Sequence, residues 1–213
     1  MNKFFESLLD WIYKKKCYFC KSSKESVKMC SKCYATLDFL PAGVNRIIEG
    51  KNVYCAGIYS KNLQKLIRGL KYHNQPELAF YLAKFMNEYL DINKTDFEIV
   101  PVPIFSQREK KRKYNHMNLV GDELAALSGN ICNKTLVSRI KDTKPQYKLK
   151  KFERIKNLEN AFKVNKNNYQ GKTILLIDDI CTTGSTFQAI IKELEKNGIK
   201  NIICFAATTP FET

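Results

Sequence analysis

Residues 174–186 read Ile-Leu-Leu-Ile-Asp-Asp-Ile-Cys-Thr-Thr-Gly-Ser-Thr, and this stretch decides the fold. Its first four residues form a continuous apolar run, which is typical of a central parallel strand buried on both faces. Asp178 and Asp179 follow directly, and the hydroxyl-rich residues 182–186 come next, where a helix is expected to begin. The stretch therefore predicts a buried strand, a tight turn and a helix N-terminus in succession.

This turn is predicted to bind a phosphorylated sugar, because ligands of open α/β sheets lie beyond the carboxyl ends of the strands. The backbone N–H groups of residues 182–186 can surround a phosphate, and Gly184 permits close approach because it lacks a Cβ atom. Asp178 and Asp179 would repel that phosphate, but they suit the hydroxyls of a ribose with Mg²⁺ nearby. No lysine follows the glycine as in a Walker A loop, and the stretch does not have the Gly-x-Gly-x-x-Gly pattern of dinucleotide sites.

The surrounding sequence predicts alternating strands and helices. The predicted strands are Val53–Tyr59, Phe97–Val102, Lys134–Ile140, Thr173–Ile177 and Asn201–Ala207. The predicted helices are one that Ser60 caps and His73 ends, and three more at Glu77–Leu90, Asn118–Leu127 and Ser185–Asn197. This alternation indicates an α/β fold with a parallel sheet and helices on both faces.

The N-terminal region, residues 1–45, is predicted to contain a small zinc-finger module. Cys17 and Cys20 form one Cys-x-x-Cys pair, and Cys30 and Cys33 form a second. Four thiolates suit tetrahedral Zn²⁺ and leave no open coordination position, so the metal would be structural. A redox role is the alternative, but neither pair follows a strand and opens a long helix. Lysines between the cysteines leave a contact with DNA or a docking role open.

The cellular compartment is suggested by the other cysteines and by the N-terminus. The chain has eight cysteines, and the remaining four are scattered in mostly apolar contexts, which fits a reducing cytosol better than a disulfide framework. Residues 4–14 predict an amphipathic helix, either docked on its own domain or lying on a membrane surface or partner. Glu6 and Asp10 interrupt this segment, which disfavours a signal peptide. No apolar run reaches the roughly 18–20 residues of a membrane span.

The net charge of +15 favours polyanionic ligands, which include nucleic acid, anionic membrane and phosphorylated molecules. The alternative is a lysine-rich composition that fills solvated faces. Segment 139–157 contains eight basic residues and two acids, with Tyr147 and Phe152 among them, a combination that single-stranded nucleic acid binding uses. A flexible basic loop over an anionic ligand would have the same composition. The candidate nucleic-acid-binding residues are Lys110, Lys111, Arg112, Lys113, Arg139, Lys144, Lys148, Lys150, Lys151 and Arg154.

Several stretches together carry a resemblance to known families. Residues 174–186 closely resemble the phosphoribosyl-pyrophosphate (PRPP) loop of type I phosphoribosyltransferases. Leu70-Lys71-Tyr72, Val100-Pro101-Val102-Pro103 and the two cysteine pairs make nearly the whole chain similar to the ComF family of competence-associated proteins. Where that family has Arg-Gly-Phe-Asn-Gln, residues 112–116 read Arg-Lys-Tyr-Asn-His, so Lys113 replaces the glycine and His116 the glutamine.

The resemblance implies a type I phosphoribosyltransferase-like domain over residues 46–213 that binds PRPP with Mg²⁺. It assigns the catalytic positions to Asp178 and Asp179, and the contacts with Mg²⁺ and pyrophosphate to Lys71, Ser106 and Arg108. The PRPP-binding residues that it implies are Asp178, Asp179, Ile180, Cys181, Thr182, Thr183, Gly184, Ser185 and Thr186.

The resemblance also implies a role in natural transformation, in which the protein binds incoming single-stranded DNA in the cytoplasm. It leaves open other DNA-uptake proteins as partners and a peripheral association with the inner face of the cytoplasmic membrane. One alternative is a nucleobase-salvage phosphoribosyltransferase, although the sequence has no obvious base pocket. A purely structural interaction protein is a lesser alternative, because it would not need the acidic pair. Neither the acceptor nor turnover follows from the sequence.

Overall fold

The computed structural model describes residues 15–90, 96–142 and 157–210. The chain divides into two compact units, which span Met1–Asp38 and Phe39–Thr213. The predicted N-terminal helix at residues 4–14 lies outside the described residues. Among the described residues, no helix is long and apolar enough to cross a membrane.

Residues 39–45 belong to the second unit, whereas the sequence analysis assigned them to the cysteine module. The ring of Phe39 stacks on that of Phe85, with 4.3 Å between their centroids. Asn45 Oδ1 accepts a hydrogen bond of 2.5 Å from the backbone N–H of Cys55. Both contacts attach this segment to the second unit, which explains why the boundary lies after Asp38.

The second unit is built on a six-stranded sheet in the order β1-β2-β8-β7-β3-β4, with β7 and β8 at its centre. All neighbouring strands are parallel except β1 and β2, which form an antiparallel pair at one edge. This sheet confirms the predicted α/β class. The strands are β1 (Arg46–Ile48), β2 (Lys51–Ile58), β3 (Phe97–Pro101), β4 (Ile131–Cys132), β7 (Thr173–Ile180) and β8 (Ile202–Thr209).

Helices cover both faces of this sheet. Ile174 and Leu176 of β7 pack in one buried cluster with the apolar residues of the last helix. On the opposite face, Gly121 lies so close to Pro101 and Ile177 that a Cβ atom would be 2.7 Å from the proline ring and 3.6 Å from the isoleucine. The helices of the second unit are α2 (Lys61–Tyr72), α3 (Leu78–Leu90), α4 (Ser106–Arg112), α5 (His116–Ser128) and α6 (Ser185–Lys196), and the first unit contains α1 (Ser31–Tyr34).

The structure differs from the predicted elements in several places. The predicted strand Lys134–Ile140 is wrong in extent, because only β5 (Val137–Arg139) forms there, and it pairs with β6 (Phe162–Val164) in a separate antiparallel sheet. Ser106–Arg112 form the helix α4, which is not among the predicted helices, because residues 107–112 are good helix formers. Ser60 precedes α2, but its side chain makes no capping hydrogen bond.

Candidate functional site

The predicted phosphate loop lies between β7 and α6, as the sequence indicated. β7 extends to Ile180, three residues beyond the predicted strand end at Ile177. Asp178 and Asp179 therefore lie near the carboxyl end of the strand, where it still pairs with β8. Gly184 immediately precedes α6 with a φ of 78°, a left-handed conformation that favours glycine. Thr183 Oγ1 and Ser185 Oγ lie 2.7 Å apart and share a hydrogen bond. These contacts fix the backbone at the start of α6.

The short edge strand β1 supports this loop from the side. Arg46 Nη1 donates a hydrogen bond of 2.5 Å to the carbonyl of Thr182, and Nη2 donates one of 3.4 Å to Thr209 Oγ1. A Cβ atom on Gly184 would overlap the side chain of Ile48. Arg46 therefore positions the loop, and Ile48 excludes a larger residue at its glycine.

The two acids of the loop have different surroundings. Asp178 is partly buried, and its Oδ1 accepts a hydrogen bond of 2.8 Å from the backbone N–H of Asp179. Asp179 is buried, and its backbone carbonyl accepts a hydrogen bond of 2.9 Å from Thr208 Oγ1. Because successive side chains of a strand point to opposite faces of the sheet, the carboxylate of Asp179 is directed away from that of Asp178, toward partners on two helices.

Asp179 Oδ2 contacts two basic side chains. Lys71 Nζ, at the end of α2, forms an ion pair with it, and His116 Nε2, at the start of α5, lies 2.7 Å away. Burial works against the ionised form of Asp179, but Lys71 and His116 outweigh it and hold its pKa well below the usual range. Burial also works against the charge of Lys71, yet Asp179 raises the pKa of that lysine. The pair is therefore ionised at neutral pH.

The pKa values of Asp178 and His116 are shifted in the directions that favour their neutral forms. Burial raises the pKa of Asp178 well above its usual value, and the charge of Asp179 adds to that shift. Burial lowers the pKa of His116 despite the contact with Asp179. Because an ionised carboxylate only accepts, Nε2 of the neutral ring donates the proton. His116 Nδ1 is then a buried acceptor with no hydrogen-bond partner among the residues that the structure describes.

A cavity of about 770 Å³ opens beyond the carboxyl end of β7 and contains this cluster. It brings together residues that the sequence analysis assigned to three different roles, namely ribose phosphate, pyrophosphate and nucleic acid. The predicted site residues that line it are Lys71, Arg112, Arg139, Asp178, Asp179, Ile180, Thr182 and Thr186. A smaller adjoining recess is lined by Asp178, Ile180, Cys181, Thr182, Gly184, Ser185 and Thr186.

Other predicted site residues lie elsewhere or outside the described parts. Ser106, Lys110 and Lys113 are exposed and do not line the cavity. Arg108 and Lys111 belong to α4, but their side chains are not among those described. Five predicted nucleic-acid contacts fall outside the described residues, namely Lys144, Lys148, Lys150, Lys151 and Arg154.

The cavity also contains residues that the sequence analysis did not select for it. Tyr59, Arg68 and Tyr72 line it, and so does His116, which the sequence analysis had noted only as a replacement for the family's glutamine. The available signal was its position, because His116 stands where the resembling family has glutamine. Lys113 has a φ of 69° where that family has glycine, so the backbone of this turn keeps the left-handed conformation despite the side chain.

In the first unit, the four predicted cysteines lie together as potential metal ligands. The Sγ atoms of Cys17, Cys20, Cys30 and Cys33 all lie within 4.8 Å of one another, and those of Cys20 and Cys30 are 3.7 Å apart. Tetrahedral zinc with Zn–S bonds of about 2.3 Å places its sulfur ligands roughly 3.8 Å apart. Burial opposes a thiolate at Cys17, but backbone N–H groups hold its pKa at about 6. The donor set therefore fits a metal such as zinc.

The fold and the loop define the class of protein. Residues 132–209 match the family model of the phosphoribosyl transferase domain. Together with the parallel sheet and the cysteine cluster, this match confirms the predicted phosphoribosyltransferase-like fold with an N-terminal module that fits a zinc finger.

The resemblance to the ComF family is also confirmed. The chain is 29% identical to competence protein F of Haemophilus influenzae over 87% of this chain and 86% of that protein. It is 28% identical to the DNA utilization protein YhgH of Escherichia coli over 85% of each, and 28% identical to competence protein ComFC of Bacillus subtilis over 70% of this chain and 59% of that one. A solved adenine phosphoribosyltransferase from Thermoanaerobacter pseudethanolicus aligns with a TM-score of 0.40 at 15% identity, covering 78% of this chain and 83% of that one.

Proposed function

We propose that this chain is a PRPP-binding, phosphoribosyltransferase-like protein that acts in natural transformation, where it handles incoming single-stranded DNA in the cytoplasm. The observation that carries the proposal is the cavity beyond β7. Its floor holds the acidic pair and the phosphate loop, and its walls hold Lys71, Arg112 and Arg139. Acids for a ribose and cations for phosphates therefore face the same volume.

In the proposed complex, residues 182–186 hold the 5-phosphate of PRPP at the N-terminus of α6. Asp178 holds the ribose hydroxyls together with Asp179. Mg²⁺, Lys71 and Arg108 hold the pyrophosphate, for which charge-assisted hydrogen bonds are suited, whereas Ser106 lies outside the cavity lining. Turnover would break the bond between ribose C1 and pyrophosphate and form one to an acceptor. Such a step is favoured by positioning and electrostatic stabilisation rather than by a strong base.

The DNA part of the proposal rests on charge and on the relatives. The net charge of +15 is suited to a polyanion, and three arginines line the cavity, namely Arg68, Arg112 and Arg139. Relatives across most of the chain are named for competence and for DNA utilization. The cysteine cluster would hold structural Zn²⁺ in the first unit, where it stabilises a segment too small for a large apolar core.

Calorimetry of PRPP binding, with and without Mg²⁺, tests the ribose-phosphate assignment. Wild-type protein is expected to bind, and the double variant Asp178→Ala/Asp179→Ala is expected to lose affinity because it loses the hydroxyl contacts. Equal binding by both proteins would exclude the loop assignment. Asp122→Ala is a matched control, because Asp122 lies on α5 in an exposed ion pair with Lys134.

Fluorescence titration with single- and double-stranded oligonucleotides over a range of salt concentrations tests the DNA assignment. Affinity for the single strand should fall as salt rises, because phosphate contacts release counterions. Absent or salt-independent binding would contradict the proposal. Release of pyrophosphate that requires a free nucleobase would instead establish the salvage alternative.

A further inference from the structure

The mouth of the cavity carries an exposed aromatic ring beside an arginine. Tyr72 is the last residue of α2 and is 61% exposed, whereas the preceding Lys71 turns inward to Asp179. The guanidinium carbon of Arg112 lies over the ring of Tyr72, 5.3 Å from its centroid. Consecutive residues of one helix therefore reach the acidic floor and the open mouth of the same cavity.

An exposed tyrosine with a guanidinium on its face is suited to an unpaired base. Aromatic rings and arginine planes both stack on bases, and they do so with little preference for sequence. Tyr59 also lines this cavity, as do Arg68 and Arg139. A base at the mouth would place its sugar and phosphates among these cations. Duplex DNA does not offer the same contact, because its bases are stacked on one another.

The same volume is the one proposed for PRPP. Asp178, Thr182 and Thr186 line it together with Tyr72 and Arg112, so no wall separates the loop from the mouth. A cavity of about 770 Å³ lies within the range of roughly 300–1,000 Å³ that holds one ligand of moderate size. PRPP and a DNA strand both carry phosphates, so binding both at once would bring like negative charges together in one cavity that also holds Asp178 and Asp179.

We propose that single-stranded DNA binds at the mouth of this cavity, with a base stacked on Tyr72 and Arg112, and that DNA and PRPP therefore exclude one another. The inference rests on the proposed function and deepens it, because it turns two ligands into alternative occupants of one site. PRPP then acts as a competitor that releases the strand. The acidic pair favours PRPP in this competition, because the proposed contacts with the ribose hydroxyls increase its affinity.

The direct test is competition. The binding of a fluorescein-labelled oligothymidylate is measured by anisotropy at fixed Mg²⁺, with and without PRPP, and the dissociation constant of PRPP is measured separately by calorimetry. PRPP at about ten times its own dissociation constant should raise the apparent dissociation constant of the oligonucleotide about tenfold. Sodium sulfate at the same ionic strength is the control, and it should cause a much smaller change.

The Asp178→Asn variant sharpens this experiment, because it removes a proposed ribose contact but leaves the ion pair between Lys71 and Asp179 in place. PRPP should displace the strand from this variant only at higher concentrations than from wild type, in proportion to its weaker affinity for PRPP. If wild-type protein binds both ligands and PRPP leaves the DNA affinity unchanged or increases it, the shared site is wrong while the proposed function stands. If calorimetry detects no PRPP binding, the proposed function itself fails, and the inference fails with it.

A substitution at the mouth tests the stacking contact. Tyr72→Ala should weaken oligonucleotide binding about 5- to 150-fold, as the loss of one stacked base predicts, and it should weaken PRPP binding by a much smaller factor. Tyr72→Trp should restore the DNA affinity. Lys200→Ala is the control, because this exposed lysine precedes β8 at the opposite end of the sheet. An unchanged DNA affinity in Tyr72→Ala would overturn the assignment of the mouth.

Discussion

The acidic pair provides a test of the electrostatics of the site, because its two members should respond oppositely to the same substitution. Asp179→Asn removes the charge that Lys71 and His116 contact, whereas Asp178→Asn removes a charge that burial and Asp179 already disfavour. We expect Asp179→Asn to destabilise the protein and Asp178→Asn to stabilise it at neutral pH.

The size of the Asp179 effect follows from the burial of its partner. The side chain of Lys71 is 18% exposed and that of Asp179 is 6% exposed. Removing one member of a buried ion pair costs about 3–5 kcal/mol, because the other charge stays buried without compensation. Residual hydration of Lys71 and the amide oxygen that still accepts from His116 favour the lower end, about 3 kcal/mol. For a chain of this size that corresponds to a decrease in Tm of about 6–12 °C.

The pH dependence has opposite signs for the two acids. The folded-state pKa of Asp179 is lowered, so its stabilisation is present above the unfolded pKa of about 3.9 and is lost as the pH falls through the folded value. The folded-state pKa of Asp178 is raised, so its favourable contribution is lost as the pH rises through the folded value. The advantage of Asp178→Asn should therefore grow with pH between the unfolded pKa of about 3.9 and the folded pKa, by at most about 1.4 kcal/mol per pH unit, and stay constant above the folded pKa.

Thermal unfolding by circular dichroism across a pH series measures both effects. Asp122→Asn is the matched control, because Asp122 pairs with Lys134 on the surface, where a salt bridge contributes about 0–1 kcal/mol. A similar decrease in Tm for the two acidic-pair variants at neutral pH would refute the assigned charge states. So would an advantage of Asp178→Asn that shrinks as the pH rises.

Three further substitutions test other parts of the molecule. Arg46→Met removes the hydrogen bond to the Thr182 carbonyl and should weaken PRPP binding, measured by calorimetry, about 5- to 10-fold. A hydrogen bond from a charged donor contributes about 1.5–3 kcal/mol, and water replaces part of it in the variant. Unchanged affinity would exclude Arg46 as a positioning residue. Gly184→Ala should abolish PRPP binding and lower Tm, because the added methyl overlaps Ile48 at a positive φ; retained binding would contradict the tight approach at this loop. Cys17→Ser should lose zinc in metal analysis and protease resistance across residues 15–38, whereas Cys132→Ser, outside the cluster, should lose neither; full metal content in Cys17→Ser would exclude the four-cysteine site.

The central strand and loop could be predicted because their signals are local. Four apolar residues, two acids and a hydroxyl-rich helix start are contiguous in residues 174–186, and each has a single structural interpretation. Lys71 could also be selected, because it ends an amphipathic helix within a segment that resembles a known family. The cysteine cluster could be predicted as well, because the spacing within each Cys-x-x-Cys pair is a local signal that indicates metal ligands.

The supporting contacts could not be predicted, because they join distant segments. β1 has only three residues, and its pairing with β2 determines that Arg46 reaches Thr182, which is 136 residues away. His116 contacts Asp179 across 63 residues, and only the arrangement of α5 against β7 brings the two together. The short strands β5 and β6 also depend on each other, since two-stranded sheets are marginal without a partner surface.

The ion pair between Lys71 and Asp179 means that the site neutralises one of its own acids with a cation of the same chain. In the proposed complex, a ribose or a divalent cation that binds Asp179 Oδ2 would compete with the ammonium of Lys71 for the same oxygen. Binding would then exchange one ionic contact for another, and the affinity would be the difference between the two sets of contacts. The lysine displaced from the acid would be available to the pyrophosphate of the proposed ligand.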